Sequence, residues 1–149
     1  MKVHFTTLGC PKNQVDSELM LGMLTRAGHE IVDAADGAEC LVVNTCAFID
    51  RAREESVNAI LELARLKERG RARSLIVTGC LTQRYGGEIL KEIPEVNAIL
   101  GTSELDRIVA LVTQSCLPSA WLTRSTIRSS SEVPRMAVTS GISLRISPP

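Results

Sequence analysis

Short apolar runs alternate with longer stretches of mixed polarity over the first 112 residues of this chain. A continuous apolar run of four to eight residues is typical of a buried strand. Residues 40–44 show this most clearly, and a strand of this kind is covered on both faces of its sheet. The strand-like runs are residues 3–10, 29–32, 40–44, 74–78 and 96–100.

The stretches between these runs have helical spacing. We expect one helix from about Gln14 to Ala27 with Gly28 as its terminator, and a second from near Asp50 to Gly70. A shorter helix is expected at 88–92 before Pro94, and a fourth at 104–112. Apolar residues at i, i+4 on one face of the first helix are Val15, Leu19, Met23 and Ala27, and the inward stripe of the second is Val57, Ile60, Leu61 and Ala64.

Strands that alternate with helices predict parallel β-α-β units. We therefore expect a flavodoxin-like, doubly wound α/β domain over residues 1–112, with a mainly parallel sheet and helices on both faces. From about Thr113 the periodicity stops, and Ser, Thr, Arg and Pro dominate. Residues 113–149 are expected to form an irregular or disordered tail.

Composition narrows the class of protein. Hydrophobic residues make up 44% of the chain, which is enough for a core, and only four aromatic residues are present. Residues 1–112 carry 13 Lys and Arg against 16 Asp and Glu, a net charge of −3 that gives no support to nucleic-acid binding. No signal peptide or membrane-spanning stretch is evident, so we expect a cytoplasmic protein whose cysteines are thiols or metal ligands.

Three cysteines each end an apolar run. Cys10, Cys46 and Cys80 are separated by 36 and 34 residues, the length of one strand and its returning helix. The thiols should therefore lie at one edge of the sheet, beyond the carboxyl ends of the strands, where open α/β sheets bind ligands. Three thiolates without a fourth suit an iron–sulfur cluster with one open iron. Gly9, Thr45 and Gly79 precede the thiols and should leave room for it.

Other interpretations stay open for these residues. Buried cysteines are often only small apolar residues, and Cys40 is assigned no role on that ground. Zinc is the next choice of metal, although paired C-x-x-C spacing is absent. Polar residues that either orient the site or have ordinary turn, cap or surface roles are Lys12, Asn13, Asp16, Ser17, Asn44, Gln83 and Arg84.

Three separated motifs carry a family resemblance. They are residues 8–18 (LGCPKNQVDSE), 44–49 (NTCAFI) and 77–81 (VTGCL), and shorter matches follow at 55–56, 93–96 and 99–102. In this order they resemble the amino-terminal domain of the radical-SAM methylthiotransferases. Residues 11–12 and 47–49 resemble the branch that modifies an aspartate of a ribosomal small-subunit protein, and the branch that modifies tRNA is the alternative.

The resemblance implies a cofactor and its ligands. In this family the domain binds an auxiliary 4Fe–4S cluster through three cysteines, which map onto Cys10, Cys46 and Cys80. A second cluster, in a radical-SAM domain, cleaves S-adenosylmethionine. The partners implied are the ribosomal protein as substrate and a sulfur donor protein, with no membrane and no direct nucleic-acid contact.

The chain also departs from the family pattern. No C-x-x-x-C-x-x-C signature follows Cys80, and Cys116 stands alone. The abrupt change in composition near Cys116 suggests a truncated or frame-shifted product. We therefore expect no methylthiotransferase activity from this chain by itself. A non-catalytic flavodoxin-like binding module with merely buried cysteines is the alternative from a different functional class.

Overall fold

A five-stranded sheet forms the centre of the protein. The computed structural model describes residues 1–70 and 72–115. All neighbouring strands pair in parallel, in the order β2-β1-β3-β4-β5. The strands are β1 (Lys2–Thr7), β2 (Glu30–Val32), β3 (Cys40–Thr45), β4 (Ser74–Gly79) and β5 (Ala98–Leu100). This is the flavodoxin-like order, so the predicted α/β fold class is confirmed.

Helices cover both faces of this sheet. They are α1 (Pro11–Arg26), α2 (Asp50–Arg69), α3 (Cys80–Glu92) and α4 (Ile108–Ser115), with short 3-10 turns at Ala35–Gly37 and Leu105–Arg107. Helices α1 and α4 pack on one face, and α2 and α3 pack on the other. None of the helices in the described part of the chain combines the length and apolar character needed to cross a bilayer.

The two central strands divide the core between the faces. Every residue of β3 and β4 is buried, as a strand enclosed on both sides requires. Successive side chains alternate, so Val42 and Ile76 pack toward α1 and α4 while Val43 and Val77 pack toward α2 and α3. Cys46 and Cys80 therefore follow the two fully buried strands of the sheet, whereas Cys10 follows the partly exposed β1.

The first helix buries a different face from the predicted apolar one. Val15 and Leu19 are 64% and 55% exposed. The buried residues of α1 are Asn13, Ser17, Met20 and Leu24. The apolar residues Met20 and Leu24 pack on the sheet, while the two polar ones occupy the end near Cys10, where they are hydrogen-bonded. Apolar spacing alone therefore misplaced the inward face.

The third helix begins earlier than predicted. It starts at Cys80 and runs to Glu92, with a kink at Tyr85 (φ −126°, ψ 19°), whereas the sequence predicted only 88–92. Gly86 and Gly87 weaken the helical pattern there. Gly86 packs against Ile99 of β5, and a Cβ atom at this position would lie 2.5 Å from Ile99 Cδ1, so that the end of the isoleucine side chain would have to move.

Two other helices begin elsewhere than predicted, α1 at Pro11 rather than Gln14 and α4 at Ile108 rather than 104, after the 3-10 turn Leu105–Arg107. Gly28 follows α1 with φ +90°, as a helix terminator does. In α2 the buried residues are Ser56, Ile60, Leu63 and Ala64, and the expected Val57 and Leu61 pack at the margin of the core. Helix α4 continues to Ser115, three residues past the predicted end. The tail prediction falls mostly on residues 116–149, outside the described residues, and the division at 112 stays a prediction.

Candidate functional site

The three candidate cysteines follow three neighbouring strands of the sheet. Cys10 is the N-cap residue of α1, beyond the end of β1, Cys46 is the first residue after β3, and Cys80 is the first residue of α3, directly after β4. Strands β1, β3 and β4 are adjacent and parallel. The cysteines therefore lie along one edge, at the carboxyl ends of the strands, which we call the cysteine edge. This edge includes the switch point between β1 and β3, where the strand order reverses and where such folds bind ligands.

The three thiols differ in their access to solvent. Cys46 is buried, with 4% of its surface exposed, Cys80 is partly buried, and Cys10 is exposed. None of the three forms a disulfide within the described part of the chain. The phenylalanine and isoleucine that follow Cys46 after one residue, Phe48 and Ile49, are 89% and 56% exposed. At the cysteine edge, the central thiol of Cys46 is therefore buried, while the other two thiols, Phe48 and Ile49 are partly or fully exposed.

Gly9 brings the first two cysteine turns together. Its φ is +95°, a conformation that favours glycine. A Cβ atom at Gly9 would collide with Cys46 Cβ and would lie 3.0 Å from Cys46 Sγ. The turn that carries Cys10 and the side chain of Cys46 are thus in direct contact, and only a residue without a side chain fits between them.

Gly79 does the same for the second and third turns. Its φ is +103° and its ψ is −163°, a region that is essentially restricted to glycine. A Cβ atom here would collide with the carbonyl oxygen of Thr45 and with Asn44 Oδ1. The backbone that leads into Cys80 therefore packs against the backbone that leads into Cys46.

The side chain of Asn13 connects all three turns. It is fully buried, and its Nδ2 donates to the carbonyl oxygens of Leu8 (2.9 Å) and Thr45 (2.8 Å). Its Oδ1 faces Cys80 Sγ at 3.7 Å, within reach of a weak S–H donor. The sequence left a choice between helix capping and an orienting role for Asn13, and these contacts favour the orienting role.

A second layer of polar contacts supports Asn13. Asn44 Nδ2 donates to the Asn13 carbonyl oxygen and to Ser17 Oγ, both at 2.9 Å. Thr7 Oγ1 also contacts Ser17 Oγ, at 2.8 Å. Asn44 therefore joins β3 to α1, and its side-chain donors are used on that helix, in agreement with the structural role that the sequence favoured.

Ser56 fixes the backbone of Cys46. The Cys46 N–H donates to Ser56 Oγ at 3.0 Å, and Ser56 Oγ in turn donates to the Cys46 carbonyl oxygen at 2.9 Å. Ser56 is fully buried on α2. Sequence reasoning noticed Ser56 only as part of a family motif. Its spacing of four and eight residues from Ile60 and Ala64 would have placed it on the buried face.

Electrostatics distinguish the outer thiols. The backbone amide of Asn13, at the start of α1, lowers the pKa of the Cys10 thiol, and the Lys12 amide and ammonium add smaller effects against the opposing effect of burial. Burial raises the pKa of Cys80, and the neighbouring Cys46 and Cys10 raise it further, while Lys12 opposes them. The mutual influence of the three thiols follows from their closeness.

The other residues singled out from the sequence have local partners. Lys12 Nζ pairs with Asp16 at 2.8 Å while remaining largely exposed, and this partner is the first cause of its raised pKa. Gln83 Oε1 accepts from the Thr102 amide at 3.2 Å. The Arg84 guanidinium lies 6.0 Å from the ring centroid of Tyr85. The charges of Lys12 and Asp16 both act on the pKa of Cys80, which Lys12 lowers and Asp16 raises.

An open groove lies beside Cys10. It has a volume of about 390 Å³, and its walls include Gln14, Ser17 and Glu18 of α1 together with Gly9. The groove gives a small molecule access to the Cys10 end of the cysteine edge.

The described residues offer no site for a single metal ion. Among residues 1–70 and 72–115, no three His, Cys, Asp or Glu side chains converge closely enough to hold a single metal ion. A cubane makes a different demand, because each thiolate binds its own iron. Three thiols on adjacent strand ends, with glycine at the two contacts between their turns, fit that demand by residue type and placement.

Comparison with known proteins gives the family. Residues 2–101 match the uncharacterized protein family UPF0004. The chain belongs to that family. This range contains all three cysteines of the cysteine edge.

Several curated relatives are named ribosomal protein uS12 methylthiotransferase RimO. The one from Solibacter usitatus is 60% identical over 109 residues, 73% of this chain and 23% of that protein. Those from Heliobacterium modesticaldum and Myxococcus xanthus are 51% and 53% identical, and the matches cover 76% and 78% of this chain and 25% and 24% of those proteins. The methylthiotransferase resemblance inferred from the motifs is confirmed, and the chain spans about a quarter of the length of these relatives.

Proposed function

We propose that this chain is the domain of a methylthiotransferase that binds an auxiliary 4Fe–4S cluster, with Cys10, Cys46 and Cys80 as the three ligands. The observation that supports this most strongly is the contact between the three cysteine turns. Gly9 packs on Cys46, Gly79 packs on the turn before Cys46, and Asn13 contacts all three. These contacts bring the three cysteine-bearing segments together at one edge of the sheet, as a shared cluster requires.

The bound cluster would supply an iron without a protein ligand, at which a sulfur species is held for transfer. The protein's part is to present three thiolates. The amides at the start of α1 favour the anionic form of Cys10, and Lys12 places positive charge near Cys10 and Cys80. Ser56 holds the backbone of Cys46 through both its N–H group and its carbonyl oxygen.

The names of the relatives support a proposal for the substrate. Proteins named uS12 methylthiotransferase RimO match this chain at 51–60% identity, and we propose an aspartate of this ribosomal small-subunit protein as the acceptor. Modification of tRNA is the runner-up, and the net charge of −3 over residues 1–112 offers it no support. A cytoplasmic location and a sulfur donor protein belong to the same proposal.

Turnover requires more than this domain. S-adenosylmethionine cleavage needs a second cluster, and the 149 residues contain no C-x-x-x-C-x-x-C signature to bind one. We therefore propose that this chain alone does not transfer a methylthio group. Turnover by the purified 149-residue protein would contradict this statement while leaving the cluster proposal intact.

Anaerobic reconstitution with iron and sulfide tests the cluster proposal. We expect a brown protein with about four irons per chain, as a 4Fe–4S cluster requires. Cys46→Ala should lose the colour and the iron, whereas Cys40→Ala, within β3 and away from the cysteine edge, should keep both. A colourless wild-type protein, or a Cys46→Ala variant with unchanged iron content, would favour the non-catalytic binding module.

A further inference from the structure

We propose that Asn13 is a positioning residue that sets the relative placement of the three cysteine turns for cluster binding. The inference rests on the proposed function and deepens it, because Asn13 itself is not a ligand. Its side chain touches groups that belong to each of the three turns and is fully buried among them.

The amide orientation of Asn13 is fixed by its surroundings. Nδ2 faces two carbonyl oxygens, those of Leu8 and Thr45, at 2.9 and 2.8 Å. A flipped amide would direct an oxygen at both of these acceptors, which is unfavourable in a buried site. Oδ1 must therefore point to the remaining side, where Cys80 Sγ lies at 3.7 Å.

The contacts of Asn13 reach three separate segments of the chain. Leu8 lies two residues before Cys10, Thr45 lies directly before Cys46, and the third contact is Cys80 itself. The backbone of Asn13 is held as well, because its carbonyl oxygen accepts from Asn44 of β3. Loss of the side chain removes the donor group that Leu8 and Thr45 share. The contact of Oδ1 with Cys80 is a hydrogen bond only in the iron-free protein, because a thiolate ligand carries no proton. The distances between the three thiols should therefore become more variable, while the sheet stays folded.

Asn97 provides a matched comparison at the opposite edge of the sheet. Its Oδ1 accepts from the Leu75 amide at 2.9 Å and from the Lys67 ammonium, so it also joins separate segments through a side-chain amide. It lies at the amino ends of β4 and β5, far along the strands from the thiols. An Asn97→Ala variant should weaken folding without a direct effect on the cysteine edge.

The experiment compares Asn13→Ala, Asn97→Ala and wild type after anaerobic reconstitution with iron and sulfide. Iron loss to a chelator and the EPR spectrum of the reduced cluster are measured, with thermal unfolding of the iron-free proteins in parallel. We expect Asn13→Ala to bind iron about 10- to 100-fold more weakly, the usual effect of removing a group that orients metal ligands. We also expect a broadened or shifted EPR signal. Asn97→Ala should lower the unfolding temperature and keep the wild-type cluster properties.

A measurement on the wild-type protein covers the case in which Asn13→Ala fails to fold. With asparagine labelled by nitrogen-15, the side-chain NH2 of Asn13 should exchange with water much more slowly than that of Asn58, which is exposed on α2. Equal exchange rates would overturn the proposed geometry.

The outcomes separate the two proposals. A colourless wild-type protein contradicts the proposed function and removes this inference with it. A coloured wild type together with an Asn13→Ala variant of unchanged iron affinity and EPR spectrum contradicts the role of Asn13 alone. An Asn13→Ala variant whose loss of iron is no larger than that of Asn97→Ala does the same, because a general loss of stability would then explain the effect.

Discussion

At the scale of single residues, the cysteine edge depends on buried polar side chains that serve the backbone. Asn13, Asn44 and Ser56 are buried and hydrogen-bonded to groups within or beside the cysteine turns. A buried polar group is stabilising only when its partners are present, so each of these contacts ties one turn to another element. The thiols are held in place through these neighbours.

The two outer thiols should ionise at different pH values in the iron-free protein. The pKa of Cys10 is lowered, chiefly by the Asn13 amide, and that of Cys80 is raised, chiefly by burial. We expect iodoacetamide to modify Cys10 with a midpoint pH below that of an unstructured cysteine peptide, and Cys80 with a midpoint above it. Peptide mass spectrometry of samples modified across a pH series measures both midpoints. A midpoint for Cys10 above that for Cys80 would contradict the environments assigned to the two thiols.

The charge of Lys12 gives a further comparison for the same measurement. Its ammonium group lowers the pKa of Cys80, so Lys12→Met should move the Cys80 midpoint to higher pH. Arg84→Met is the control, because Arg84 is stacked on Tyr85 and has no part in the Cys80 shift. An equal effect of the two variants would argue against a local action of Lys12.

Removal of the Ser56 hydroxyl should destabilise the fold and loosen Cys46. Ser56→Ala leaves the buried Cys46 amide without its donor–acceptor partner. The loss should be about 1–3 kcal/mol in the free energy of unfolding. Urea unfolding of the iron-free protein measures it, with the exposed Ser103→Ala as a control that should change by less than about 0.5 kcal/mol. A Ser56→Ala variant as stable as the control would contradict the assigned contact.

At the scale of secondary-structure elements, the strand-to-helix turns carry the site. Gly9 and Gly79 both have positive φ and both lie directly before a cysteine. Because parallel strands end at one edge, two such turns bring three chain segments into contact. The two glycines therefore allow both the backbone conformation of these turns and their close packing.

Substitution of Gly79 should be far more costly than substitution of a glycine within a helix. Its backbone conformation alone costs an alanine about 1–3 kcal/mol, and the added Cβ collides with Thr45 and Asn44. Gly22 lies within α1 with open space around it, so Gly22→Ala should stabilise the protein by about 0.4–1 kcal/mol. Urea unfolding of both variants checks the pair. Equal stabilities would refute the assigned turn geometry.

The sequence predicted the elements of this fold better than the face of its first helix. Parallel topology and the positions of the strands follow from apolar runs and their spacing, which the core requires everywhere. Helix α1 differs because Asn13 and Ser17 face inward to serve the site while Val15 and Leu19 remain exposed. Local rules fail where a functional region demands buried polar groups.

The sequence predicted the thiols of the candidate site but not the hydrogen bonds that hold the cysteine turns in place. Cys10, Cys46 and Cys80 stand at equivalent points of a repeating pattern, so their placement at one edge follows from the fold class. Asn13 contacts residues 32 and 67 positions further along the chain, and Ser56 contacts Cys46, 10 positions before it. Such contacts depend on the packed structure. The early start of α3 was also not predicted, because Gly86 and Gly87 weaken the helical pattern in the sequence. The contact of Gly86 with Ile99 of β5 is visible only in the folded structure.

At the scale of the whole molecule, the described part of the protein is an open parallel sheet between two layers of helices, with three cysteines at the carboxyl edge of the sheet. Both faces of the sheet are covered by helices, and the central strands are fully buried. The carboxyl edge carries the three thiols, the groove beside Cys10 and the exposed Phe48. This edge is therefore where the described part of the chain can engage a cofactor.

Mössbauer spectroscopy of the protein reconstituted with iron-57 tests the central claim most directly. Three cysteine ligands leave one iron of a 4Fe–4S cluster without a thiolate, so we predict about four irons per chain, with one site distinguishable from the other three. The distinct site should change when an external thiol or sulfide is added. A spectrum of four equivalent thiolate-bound irons, or of iron that is not in a cluster, would contradict the account.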